Sequence, residues 1–217
     1  MDDIIRIAVD GPAGAGKSTI AKNVAAQLGI DYIDTGAMYR AIGLKLLRTG
    51  IDMHEDGALA AMLETTDIDY AAGRTYLDGE DVSDVIRTPQ ISAMASDCSA
   101  ILAVREKLVA IQQAMGKRKS IIMDGRDIGT VVLPDAQYKF YLTASSDVRA
   151  ARRCLELEQK GLSADFEEIR ASIEARDHQD MHREHSPLMK AGDAIEVDSS
   201  DMDIDEVVER FLQVIRG

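Results

Sequence analysis

Asp10-Gly11-Pro12-Ala13-Gly14-Ala15-Gly16-Lys17-Ser18-Thr19 decides the fold. From Gly11 to Ser18 it fits the pattern G-x-x-x-x-G-K-[ST]. The preceding run Ile4-Ile5-Arg6-Ile7-Ala8-Val9 is β-branched and apolar, as a buried parallel strand requires. Behind it, Ile20, Val24, Ala25 and Leu28 recur at helical spacing. Strand, glycine-rich turn and helix together make a phosphate cradle. Gly11, Gly14 and Gly16 remove Cβ where backbone N–H groups must approach an anion. The following helix adds unpaired N–H groups and the positive end of its dipole. Gly11, Pro12, Ala13, Gly14, Ala15, Gly16, Lys17, Ser18 and Thr19 are therefore the expected residues that bind a nucleoside triphosphate. Lys17 reaches the β- and γ-phosphates, and the Ser18 hydroxyl is placed for Mg²⁺.

Working outward, Asp31-Tyr32-Ile33-Asp34 reads as a second strand leading into a helix with Ala41, Leu44, Leu47 and Arg48. Beyond Gly50 the rhythm breaks. A short acidic helix over 54–64 and small strands near 68–70 and 75–77 are expected, with Asp78-Gly79 as a hairpin turn. Thr88-Pro89-Gln90 opens one long helix over 91–115, with Ile101, Val104, Leu108 and Ile111 on a face. Ser120–Asp124 and Tyr138–Leu142 are strands; helices follow from Asp147 to near Gly161 and from Asp165 towards Pro187. Ala194–Asp198 is the last strand, and an Asp203/Glu206 cap opens a closing helix. The alternation predicts an α/β fold: a five-stranded parallel sheet with helices on both faces. Ligands of such sheets sit at the carboxyl ends of the strands, where the segments 10–19, 35–40 and 124–127 converge.

The chain has 217 residues and a net charge of −13, which argues against a nucleic-acid polymer or an anionic membrane as partner. An acidic nucleotide-binding protein must gather its arginines locally. Cys98 and Cys154 lack metal-type spacing and read as reduced thiols; with no leader or span apparent, a cytoplasmic location is expected. Asp124 ends an apolar strand and is placed for Mg²⁺ together with Ser18. Arg126, exposed on a tight turn, points to oxyanion binding. Arg176, Asp180 and Arg183 share a helix face, and spacing alone favours a surface ion-pair ladder. His178, His182 and His185 lie about 200° away and favour solvated histidines over zinc.

Together, Asp10–Ser18, Asp34-Thr-Gly-Ala-Met-Tyr-Arg40, Gly79-Glu-Asp-Val-Ser83, Ile86-Arg-Thr88, Asp124-Gly-Arg-Asp-Ile-Gly-Thr130 and Arg176-Asp…Asp180…Arg183 resemble the bacterial cytidylate kinases, in that order over essentially the whole chain. Ser18 and Thr35 stand where some members have Gly and Ser. The resemblance implies a single nucleoside-monophosphate kinase domain over 1–217. Its core covers about 1–40, 91–150 and 165–217, its acceptor-binding insert about 41–90 and its lid about 151–164. It implies transfer from ATP with Mg²⁺ to CMP or dCMP by a monomer. Arg40, Arg126 and Arg183 would hold the acceptor phosphate, with Thr35 and Tyr39 lining that pocket. Ser96, Arg105 and Asp127 would meet the cytosine edge, and Arg176 and Asp180 the sugar, which replaces the ladder reading. Arg152 and Arg153 would close on the transferring group. Lys17, Arg126, Arg152, Arg153 and Arg183 are the expected catalytic set. The competing readings are a kinase for another small acceptor, with Asp34 or Asp127 as base, and a nucleotide-dependent switch. Asn23 is the only asparagine, so an Asn-Lys-x-Asp guanine signature is absent.

Overall fold

The computed structural model describes residues 4–159 and 161–217. In chain order the elements are β1 (Arg6–Asp10), α1 (Lys17–Leu28), β2 (Asp31–Asp34), α2 (Thr35–Thr49), α3 (Asp56–Glu64), β3 (Ile68–Ala71), β4 (Arg74–Leu77) and β5 (Glu80–Asp81). Then come α4 (Pro89–Cys98), α5 (Leu102–Gly116), β6 (Ile121–Gly125), β7 (Tyr138–Thr143), α6 (Ser146–Gln159), α7 (Phe166–His182), β8 (Ile195–Asp198) and α8 (Ile204–Arg216).

The five-stranded parallel sheet expected from the sequence is present, with strand order β2-β6-β1-β7-β8. After β6 the chain crosses β1 to reach β7. The reversal opens a crevice at the carboxyl ends of β1 and β6, where a ligand fits in this class of sheet. The middle of the central strand is apolar because both faces are covered: Ile7, Ala8 and Val9 are fully buried. On one face Met38 and Ile42 of α2 pack with Val104 and Leu108 of α5. On the other, Val24 of α1 and Leu212 of α8 pack with Phe140, which stacks on Phe211 at 3.9 Å. The Asp203/Glu206 capping box is present and starts α8.

Strands β3, β4 and β5 form a separate antiparallel sheet. Its Tyr70 and Leu77, with Leu59, Val82 and Ile86 nearby, bury into the same apolar cluster as α2 and α5. Asp78-Gly79 is the turn between β4 and β5, with both φ angles positive. The β3–β4 turn at Ala72-Gly73 is equally left-handed, and alanine gives no sequence signal for it.

The single helix expected over 91–115 is two helices. Ala100 and Ile101 bond three residues back, to Asp97 and Cys98, and Ile101 leaves the helical region at φ −82°, ψ 124°. The Ser99 carbonyl left free by this break accepts from Arg105 Nη1 at 3.1 Å. The break thus turns Arg105 inward. Gly43 lets α4 sit tightly on α2, since a Cβ there would lie 3.1 Å from the Ala95 nitrogen. Among the described residues no helix is long and apolar enough to cross a membrane, and both cysteines are unpaired.

Candidate active site

The loop after β1 curls tightly because it contains no obstructing side chains. Gly11 has φ +147°, and a Cβ on it would fall 2.0 Å from the Leu142 carbonyl oxygen of β7. Lys17 starts α1 and folds back, donating from Nζ to the Pro12 carbonyl at 2.7 Å. Burial, reinforced by the Arg126 guanidinium, pushes its ammonium down to about 7. Asp10, at the end of β1, accepts from the Ile128 and Gly129 N–H groups at 2.7 Å each. It thereby holds a π-helical turn over Ile128–Val132, which follows directly on Arg126 and Asp127. Burial drives the Asp10 carboxyl up to about 6.

Asp124 is the penultimate residue of β6. Its two carboxylate oxygens accept from Ser18 Oγ and from the Tyr32 hydroxyl, each at 2.8 Å. Burial, and then the neighbouring Asp34, raise its pKa. Its backbone carbonyl takes the Thr35 hydroxyl at 2.6 Å. Asp34 caps α2 through the Ala37 N–H and pairs with Arg40 at 3.0 Å.

Two cavities meet at the loop. The inner one, of about 250 Å³, is lined by Thr35, Tyr39 and Arg40 from α2, Ser96 from α4, and Arg105 from α5. Arg126 and Asp127 after β6, and Arg176, Asp180 and Arg183 from the α7 region, complete it. Every residue assigned to the acceptor thus lines one cavity. Arg126 Nε donates to Asp180 at 2.7 Å. Arg105 pairs with Asp127, and Arg183 stands 3.9 Å from the same carboxylate. Burial alone would raise the Asp180 carboxyl, but Arg126, Arg176 and Arg183 outweigh it and hold it low. Arg176, Asp180 and Arg183 are therefore not a surface ladder: Asp180 is 5% exposed, and Arg183 has already left the helix at φ −64°, ψ 145°.

Several buried polar atoms here have no hydrogen-bond partner: the Tyr39 hydroxyl, Nε of Arg40, Arg105 and Arg176, and Arg183 Nη2. The residues that carry them all line the inner cavity, and four guanidinium-bearing side chains gathered around one cleft suit an anionic, hydrogen-bonding ligand.

The outer cavity, of about 960 Å³, is lined by Gly14 through Ile20 and Lys22, with Arg149, Arg152 and Arg153 from α6. Gly14, Lys17 and Ser18 line both cavities. Arg152 donates to the Ser199 carbonyl at 2.6 Å and its hydroxyl at 3.1 Å, while Arg153 pairs with Glu156. The structure does not bring these two together with Arg126 and Arg183.

Sequence reading passed over Arg149. It is 5% exposed, donates to the Ala13 carbonyl at 3.0 Å and pairs with Asp177 at 2.7 Å, so it fastens the loop to α7. Its only sequence signal is its place among the arginines of α6. His178 and His182 stack at 4.0 Å on α7, and among the described residues no group of three metal-type ligands exists.

The family model described as cytidylate kinase matches residues 7–217. A cytidylate kinase of Caldicellulosiruptor bescii is 52% identical over 97% of this chain and 95% of that protein. A cytidylate kinase of Lactobacillus johnsonii is 46% identical over 100% and 96%. Among solved structures, a shikimate kinase of Bacteroides thetaiotaomicron superposes with a TM-score of 0.53 at 12% identity, covering 99% and 100% of the two chains, a likeness of fold alone.

Proposed function

This chain belongs to the cytidylate kinase family, and from that premise we propose that it transfers the γ-phosphoryl group of ATP to the phosphate of CMP or dCMP. The observation that carries this reading is the gathering of Arg40, Arg126, Arg176 and Arg183 around the inner cavity beside a paired Arg105 and Asp127. ATP takes the outer cavity, its phosphates on the loop. The acceptor takes the inner one, its phosphate among Arg40, Arg126 and Arg183. An attacking phosphate oxygen of CMP forms a bond to the γ-phosphorus as the bond to the β,γ-bridging oxygen breaks, and ADP leaves. A phosphate monoester has its second pKa near 6, so the attacking oxygen is already anionic at neutral pH. No general base is required. The demand is electrostatic: two anionic substrates must be held in line, which the arginines and Lys17 meet. Because Lys17 lines both cavities, it can stay with the phosphoryl group throughout transfer.

The hard oxygen donors of Ser18 and Asp124 fit Mg²⁺, since a buried carboxylate raised in pKa gains most from a cation. Bound there, the ion would neutralise charge on the donor phosphate oxygens. Tyr32 holds the second Asp124 oxygen and so orients that carboxylate. Arg176 and Asp180 meet the sugar. Arg152 and Arg153 serve the outer cavity and the transferring group. The family resemblance supports a monomer, and the soluble nucleotide substrates support a cytoplasmic enzyme.

Discrimination between bases follows from the pair at the inner end. Cytosine presents an N4 donor to a carboxylate, whereas O4 of uracil is an acceptor and would leave two acceptors facing each other. Such a mismatch costs about 1–3 kcal/mol. Asp127→Asn is expected to narrow the CMP-over-UMP ratio of kcat/KM about tenfold. The ratio is insensitive to any loss of folded protein, and an unchanged ratio would remove the base-reading role. An ADP-release assay with CMP, dCMP, UMP, AMP and small alcohols tests the function itself. Turnover is expected with CMP and dCMP, and none with either would overturn the reading.

A further inference from the structure

We propose that Arg87, contributed by the segment that leads into the acceptor cavity, is a ligand for the donor triphosphate and couples binding of the two nucleotides. The inference rests on reading the outer cavity as the donor site and the inner one as the acceptor site.

Arg87 lines the outer cavity together with Lys17 and Ser18, although it belongs to neither the loop nor α6. The residue is exposed and among the described residues pairs with no carboxylate; its Nε donates to the Ser83 carbonyl at 3.2 Å. In a chain of net charge −13 that is informative. Arg40, Arg105, Arg126, Arg149 and Arg153 each hold a carboxylate. A fork that keeps its terminal nitrogens free beside a phosphate-binding lysine is suited to an anion from outside the chain.

The placement of its backbone supplies the coupling. Ile86 before it is fully buried in the apolar cluster that the insert shares with α2 and α5. Thr88 after it caps α4 through the Ile91 N–H at 3.2 Å. Further along the same helix, Ser92, Ala95 and Ser96 line the inner cavity. One rigid element thus presents Arg87 to the donor and its own surface to the acceptor. A nucleotide that fixes α4 from the inner side also fixes Arg87 on the outer side, and the ordering is not repeated when the second nucleotide arrives.

The test is calorimetric titration with a non-hydrolysable ATP analogue, with and without saturating CMP, alongside CMP alone. Wild-type protein is expected to bind the analogue about tenfold tighter when CMP is present, the strength of one added hydrogen bond to a charged group. Arg87→Met should abolish that gain while leaving affinity for CMP alone within twofold. Arg87→Lys, which restores the charge but not the fork, should recover part of it. Arg87 is exposed, so the melting temperature should not move. A gain retained in Arg87→Met, or absent from the wild type, overturns the coupling. A wild type that binds the analogue but not CMP overturns the acceptor assignment instead, and with it this inference.

Discussion

Lys17→Ala is expected to lower kcat about a thousandfold, with little change in melting temperature. The lysine is 6% exposed and lies in the wall common to both cavities. Its charge is unwelcome in the free protein: burial and Arg126 both disfavour the ammonium. A group so placed contributes little to stability and most when phosphate charge arrives beside it. Alanine removes a desolvated cation, which offsets the loss of its attraction to Asp124 and Asp10. It leaves the glycine curl untouched. The transferring phosphoryl group, however, loses its shared partner at the point where its charge is most spread. Steady-state rates at saturating ATP and CMP, paired with a thermal melt, check both halves. Turnover within tenfold of wild type would show that the loop does not hold the reacting phosphates.

Arg126→Met is expected to act on the acceptor side, lowering kcat/KM for CMP by a factor of about 100–1000 while the KM for ATP changes little. Arg126 reaches the inner cavity from the turn after β6 and is steadied by Asp180 at 2.7 Å through Nε. That contact leaves the terminal nitrogens to grip a phosphate as a fork. Methionine keeps the stem's volume but leaves the Asp180 carboxylate, itself buried, with only Arg176 and Arg183 for compensation. Arg126→Lys should recover only part of the activity, because an ammonium cannot hold Asp180 and the phosphate with one fixed geometry. Initial rates across CMP concentrations separate the outcomes. An equal effect on both substrates would place Arg126 outside the acceptor pocket.

The parallel sheet was legible because its inner strands β1 and β6 carry β-branched apolar runs that end in an acid and a glycine, with helical spacing between strands. The phosphate loop was legible because its function is written in backbone conformation, and only glycine meets the need at Gly11. The break between α4 and α5 was not, since Ser99, Ala100 and Ile101 contain neither proline nor glycine. What stops the helix there is tertiary: the Ser99 carbonyl is claimed by Arg105, which in turn is claimed by Asp127. The acceptor cavity shows the same limit. Its arginines come from four distant segments, and spacing alone put Arg176–Arg183 on the surface. The residues that the resemblance assigns to the acceptor line one cavity, a gathering to which local pattern had no access. Arg149 and Asp10 escaped for a related reason. Their loop-side partners, the Ala13 carbonyl and the Ile128 and Gly129 N–H groups, are backbone atoms that leave no trace in side-chain identity, and the Asp177 carboxylate that Arg149 also pairs with lies 28 residues away.

The hold of Asp10 on the turn after β6 bears on the order in which the protein becomes active. The two N–H groups it receives lie 118 and 119 residues further along the chain. No local segment can satisfy them, and the loop-closure entropy must be met before the turn gains its shape. Arg126 and Asp127 are therefore set only once β1 and β6 stand side by side. A chain ending before β6 lacks Arg126 and Asp127, and with them part of the wall of the inner cavity. Competence for transfer is a property of the completed sheet, so partly folded molecules do not consume ATP on cytidine nucleotides.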